Sequence, residues 1–176
     1  MNKFLKNSLE AYFNSSQWVY DFDEERNLFK ITFNLSGKIK SVTHVILVGD
    51  DEYRAVAYPD IVNADKENIN NIAEYLHRIN SYLGDGRFEI DFYTGEIRFY
   101  IRVGCTNNPE EKDFQRFLGL PEYYIENYGE GMLAVMFGFK SPKDAAEESW
   151  IVFCQHMQCI VFDLIFTNNN KNLKKN

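Results

Sequence analysis

The segment from Arg87 to Val103 limits the fold more tightly than any other stretch. Two alternating runs flank Thr94-Gly95, with Phe88, Ile90 and Phe92 on one arm and Ile97, Phe99 and Ile101 on the other. Glu89, Asp91, Arg98 and Tyr100 fill the positions between them. Side chains alternate across a strand, so this pattern is a β-hairpin with one buried face. A two-residue loop at Thr94-Gly95 predicts Tyr93 opposite Glu96, Phe92 opposite Ile97, Ile90 opposite Phe99 and Phe88 opposite Ile101. On the wet side it places Asp91 against Arg98 and Glu89 against Tyr100. A slip of one residue would turn the Phe and Ile side chains into water, so the register resists it.

A lone hairpin is marginal and needs more strands or a helix against it. The preceding chain supplies both. Residues Trp18 to Tyr58 read as four antiparallel strands separated by polar turns at Asp23 to Asn27, Ser36-Gly37-Lys38 and Asp50-Asp51. In the second, Phe29, Ile31, Phe33 and Leu35 alternate with Lys30, Thr32 and Asn34, giving one dry and one wet face. The third is apolar on both faces at Val45, Ile46, Leu47 and Val48, which calls for cover from two sides, by the fold or by a partner. Before the strands, Phe4, Leu5, Leu9, Tyr12 and Phe13 recur at helical spacing, so residues 3 to 14 form an amphipathic helix.

Pro59 ends the fourth strand, and a helix is predicted from Asp65 to Leu83. Its apolar stripe, which includes Ile69, Ile72, Tyr75, Leu76, Ile79 and Tyr82, covers half the circumference, so it should pack on two surfaces. Asn80 falls inside that stripe, where a bare amide would cost about 1 to 3 kcal/mol. It is expected to bracket the Gly84-Asp85-Gly86 turn. After Cys105, Asn108-Pro109-Glu110-Glu111 starts a short helix that Gly119 closes, Pro121 starts another, and Ser141-Pro142-Lys143-Asp144 a third. Gly129 and Gly131 weaken the middle one by about 1 kcal/mol each relative to Ala. Helix flexibility or close packing would account for them. The fold class is therefore α+β, an antiparallel sheet in the order α-ββββ-α-ββ-ααα.

Thirteen of the seventeen residues from Trp150 to Phe166 are apolar. As a helix they reach about 25 Å, short of the roughly 30 Å hydrocarbon core of a bilayer. Packing on the domain or on a partner is expected, with attachment to a membrane surface the rival and spanning disfavoured. Residues 167–176 read as a polar, disordered tail, leaving one domain over 1–166. That suits a 176-residue chain, close to one domain at about 150 residues each. The N-terminus has no apolar run of signal-peptide length. Cys105, Cys154 and Cys159 lack ligand spacing and read as small core residues in a reducing cytoplasm.

The groups that could do chemistry are scattered. His44 lies in a strand, His77 on the polar side of a helix and His156 near the C-terminus, with no pair at metal-ligand spacing. Gly129-Glu130-Gly131 lacks the lysine of a phosphate cradle. Asp21, Asp23, Glu24 and Glu25 lack the glycine and distal glutamate of a calcium loop, which leaves a solvated turn. No catalytic residue, metal or cofactor is expected. A net charge of −7 disfavours nucleic acid.

In element order and local wording the chain resembles the YbjN family of candidate bacterial sensory-transduction regulators. The likeness is carried by Ile79-Asn80, by Gly86 to Asp91 with Thr94 to Arg98 in the hairpin, and by Gly138 with Ser141 to Ala146. It runs from about Glu10 to Glu148. It implies a fold similar to type III secretion chaperones, which are small, acidic, dimeric proteins that bind other polypeptides. It supplies no catalytic residues, and the apolar stretch after Ser149 departs from the family pattern. The expectation is a cytoplasmic homodimer that binds protein through Val45, Leu47, Tyr75, Ile79 and Tyr82. The rival is a small-molecule sensor or enzyme whose pocket between sheet and helices is lined by Tyr53, Tyr58, Tyr75, Tyr82 and Tyr100.

Overall fold

The computed structural model describes residues 2–105 and 109–155. The elements are α1 (Lys3–Ser15), β1 (Tyr20–Asp23), β2 (Leu28–Asn34), β3 (Ser41–Val48), β4 (Glu52–Pro59), α2 (Ile69–Asn80), β5 (Arg87–Ile90), β6 (Ile97–Gly104) and α3 (Glu111–Met136). A further helix, α4, occupies 142–155. The strands form one antiparallel sheet in the order β1-β2-β3-β4-β6-β5. Helices α1, α2 and α3 cover one of its faces, where Phe29, Ile46, Tyr53, Ala55, Phe99 and Ile101 are buried. The Tyr53 hydroxyl donates to the Leu5 carbonyl at 2.7 Å, and the Tyr53 ring packs against Phe114 and Phe117. This one strand thus anchors two helices.

The hairpin pairs Phe88 with Phe99, Glu89 with Arg98 and Ile90 with Ile97. This corrects the expected register by two residues. A two-residue loop would place Thr94 at positive φ, which a β-branched residue resists. Only Gly95 takes that conformation, at φ 74°. The Asp91 carboxylate accepts the amides of Tyr93 and Thr94 at 2.7 and 3.1 Å, and Gly95 N–H donates to the Asp91 carbonyl at 2.7 Å. Those two amides hold the Asp91 carboxyl below its usual range. A shift of two preserves which face each paired residue takes, so Phe88, Ile90, Ile97, Phe99 and Ile101 keep the dry face. Phe92, expected there opposite Ile97, falls in the turn beyond the ladder and is exposed.

Gly119 and Pro121 do not divide two helices. Helix α3 runs 26 residues through Pro121, so two helices stand in the described residues after β6 where three were expected. An interior proline costs about 3 kcal/mol. Here a continuous buried stripe of Phe114, Phe117, Leu118, Pro121, Tyr124, Ile125 and Tyr128 holds both halves on the same core. Asn108 lies outside the described residues; Asp113 accepts the Glu110 amide at the start of α3. Ser141 caps α4, accepting the Asp144 amide at 3.2 Å.

Close packing accounts for Gly131. A Cβ there would lie 2.5 Å from both the Ser149 and Tyr75 hydroxyl oxygens, and Tyr75 is committed by donating to the Tyr128 carbonyl at 2.7 Å. Gly131→Ala should cost about 1 to 2 kcal/mol although alanine is the better helix former. Thermal unfolding checks this, and an unchanged midpoint would mean the two hydroxyls can retreat. The start of the 150–166 segment packs on the domain: Trp150 stacks on Tyr82 with ring centroids 4.5 Å apart, and Phe153 stacks on Tyr128 at 5.8 Å. Residues 156–166 and the 167–176 tail lie outside the described residues.

Candidate functional site

The sheet face opposite the helices has no described element over it. Alternation in β3 buries Val42, His44, Ile46 and Val48 under the helices and turns Ser41, Thr43, Val45 and Leu47 outward, each half-buried by its neighbours on the sheet. Cross-strand register arranges this outer face in rows. Lys30, Val45, Val56, Tyr100 and Arg87 form one row from β2 to β5. Leu28, Leu47, Arg54 and Arg102 form the next. Thr32, Thr43 and Tyr58 begin a third, with the two threonine hydroxyls 2.9 Å apart. Val45, Leu47 and Val56 are thus an apolar strip separate from the core.

Arginines border that strip in two clusters. Glu52 is almost fully buried and gives one carboxylate oxygen to Arg54 and the other to Arg102. Burial would raise the Glu52 pKa, but the two guanidinium partners outweigh it and the net shift is downward. The second carboxylate, Glu89, accepts Arg87 Nε at 2.9 Å and Arg98 Nε at 3.0 Å, with Glu96 3.9 Å from Arg98. Arg87 also lies over the Tyr100 ring, 4.5 Å from its centroid. A guanidinium carries five N–H donors, so each arginine keeps donors free beyond those its glutamate uses.

The residues expected at the site separate. Val45 and Leu47 lie on the outer face. Tyr75 and Ile79 do not reach any surface; both are fully buried where α2 meets the sheet and α3. The broad α2 stripe is therefore covered by this chain, and those two residues offer nothing to a partner. Tyr82 is half-buried under Trp150. Asn80 spans the Gly84 to Gly86 turn, donating to the Phe88 carbonyl at 2.9 Å and accepting the Phe88 amide at 2.8 Å. The five tyrosines of the rival reading do not share a cavity: Tyr53 and Tyr75 are core residues, Tyr58 and Tyr100 are on the outer face, and Tyr82 is beneath α4.

The ionisable groups stay apart as well. His44 is fully buried beside Phe33, with ring centroids 5.2 Å apart, and burial lowers its pKa to about 4. His77 is exposed on α2, and His156 lies outside the described residues. Glu89 binds Arg98, and Asp91 caps the hairpin turn instead of facing it. A cleft of about 550 Å³ lies between α3, α4 and the β2–β3 loop. Its charges are mutually engaged, Lys38 with Glu130 at 3.5 Å, Lys140 with Glu148, and Glu126 with Ser36. Cys105 and Cys154 are half-buried, and Cys159 lies outside the described residues. Among the described residues there is no group of three His, Cys, Asp or Glu placed to hold a metal, and no helix long and apolar enough to cross a membrane. The arginine clusters escape sequence reasoning because Arg54 and Arg102 are 48 positions apart and meet only through the β4–β6 register; period-two spacing of Arg98 and Arg102 with Tyr100 was the available signal.

No protein-family model matches this sequence, and no curated protein matches it. Among solved structures it is similar to YbjN of E. coli, described as a candidate transcription regulator, with a TM-score of 0.52 and 12% identity, over 74% of this chain and 87% of that one. The chain has the YbjN-like α+β fold.

Proposed function

We propose that this chain is a non-catalytic protein that works by binding other polypeptides, as a YbjN-type regulator or chaperone-like adaptor, in the cytoplasm and as a homodimer. The observation that supports this reading is the uncovered outer face, where Val45, Leu47 and Val56 form an apolar strip with no described element against it. Apolar strips bordered by polar groups are where soluble proteins meet partners. The scatter of histidines and the engaged charges of the cleft favour binding over chemistry. A double substitution, Val45→Ser with Val56→Ser, tests the face. Full-length wild type and variant, each immobilised, are exposed to extract of the native cell, and the retained proteins are compared by mass spectrometry. A set held by wild type and lost from the variant supports the reading; identical sets reject it.

A second copy fits a different surface. Phe137, Phe139, Ile151 and Val152 are exposed around the α3–α4 turn and along α4, with Phe139 at 80%. Light scattering at micromolar concentration should give twice the 20.7 kDa chain mass, reduced to the single mass by Phe139→Ser. A wild type that stays single at all concentrations removes the homodimer.

A further inference from the structure

The geometry points to an acidic, extended polypeptide segment as what the outer face binds, with a carboxylate two residues from an apolar side chain. This rests on the reading of that face as a polypeptide-binding surface and names its partner's chemistry. At the Glu52 corner the carboxylate is only 4% exposed, whereas the Arg54 and Arg102 side chains are 47% and 59% exposed. The corner therefore shows solvent two guanidinium groups and almost no acid, on a molecule whose net charge is −7. Both arginines are preorganised by the shared carboxylate, so a ligand carboxylate would meet two charge-assisted donors at little ordering cost.

Spacing sets the motif. Arg102 and Arg98 project outward from β6 four residues apart, about 13 Å at strand rise, with Tyr100 and Val56 in the row between. At the Arg98 end the Glu89 and Glu96 side chains are themselves 26% and 42% exposed, so the unbalanced guanidinium groups are those of the Glu52 corner. An extended segment repeats its face every two residues, so an acid two residues from an apolar side chain would match that corner and the strip in turn. A nucleic acid would bring the same anionic chemistry, but the aliphatic strip of Val45, Leu47 and Val56 gives bases less to stack on, and the overall charge repels a phosphate chain.

The test uses fluorescence anisotropy of the full chain with labelled peptides repeating Glu-Ser-Val-Ser, the same repeat with Lys for Glu, the same with Ser for Val, and a twelve-nucleotide uridine strand. The acidic, valine-containing peptide should bind at least tenfold more tightly than the other two peptides and weaken several-fold between low and 0.3 M salt. Arg102→Ser leaves Glu52 paired with Arg54 and should cost fivefold or more, while Arg102→Lys should stay within about threefold of wild type; unchanged thermal midpoints exclude misfolding. Equal or tighter binding of the lysine peptide overturns the inference while leaving polypeptide binding in place. Tighter binding of the uridine strand, or no peptide binding when the extract experiment still shows proteins lost on Val45→Ser with Val56→Ser, overturns the inference alone. Failure of that extract experiment overturns the underlying reading.

Discussion

Gly95→Ala should lower the unfolding free energy by about 3 kcal/mol or more, one of the largest single-residue effects outside the core. Two costs combine. The residue sits at φ 74°, where an L side chain costs about 1 to 2 kcal/mol. A Cβ there would also lie 1.9 Å from the Ala64 carbonyl oxygen, far inside contact distance. The Ala64 backbone cannot simply yield, because its N–H donates to the Gly95 carbonyl at 2.9 Å and the neighbouring Asn63 amide donates to Thr94 at 3.0 Å. The loop before α2 is thus seated on the hairpin tip. For a chain of this length 3 kcal/mol corresponds to a midpoint roughly 6 to 12 °C lower. Gly84→Ala is the control: nothing lies within 4 Å of its Cβ position, and the change should stay within about 0.5 kcal/mol. Equal midpoints for the two variants in thermal denaturation would refute the tight seating.

That same turn shows how much of the architecture was legible and where legibility ended. The alternation of Phe88, Ile90, Ile97 and Phe99 identified the strands and the dry face, because period two is a local property. Register depends on loop length, and the loop is set by the Asp91 carboxylate capping two amides, which the Thr94-Gly95 pair by itself conceals. Pro121 misled in a similar way. Local propensity ends a helix there, whereas burial of Phe117 and Tyr124 on either side carries α3 through. For the candidate site, the two-faced third strand was visible and its Val45 and Leu47 do lie on the outer face, which no described element covers. Tyr75 and Ile79 were not separable from them, since a wide apolar stripe reads alike whether α3 or another protein covers it. The Glu52 corner needed the pairing of Arg54 with Arg102, a non-local fact.

Two ionisable groups, a buried imidazole and a half-buried carboxyl, should give this protein an acid response that only substitution uncovers. His44 has no hydrogen-bond partner among the described residues for either ring nitrogen, and its pKa falls from 6.5 to about 4. The unfolded chain therefore binds the proton first. His44 contributes stability above pH 6.5 that drains away as pH falls through 4, by about 3 kcal/mol in all. Glu122 runs the other way. Placed on α3 beside α1, it is raised to about 7 from 4.5, first by burial and then by the Glu126 charge one turn along. The folded state then holds the proton longer, so its contribution is complete below pH 4.5 and is lost as pH rises through 7, about 2 kcal/mol once the screening of a partly exposed carboxyl is allowed for. Between pH 4.5 and 6.5 the two slopes oppose, and denaturant unfolding of wild type should vary little over that window. His44→Leu removes one slope and should leave stability rising as pH falls from 7 to 4.5; it should also gain about 1 to 3 kcal/mol at acid pH by removing an unpaired buried imidazole. Glu122→Gln should do the reverse, losing stability as pH drops from 6.5 to 4, and the double variant should again be flat. Parallel pH profiles for all four proteins would mean that neither group is held away from its ordinary titration, and the burial of His44 without a partner would then need a different explanation.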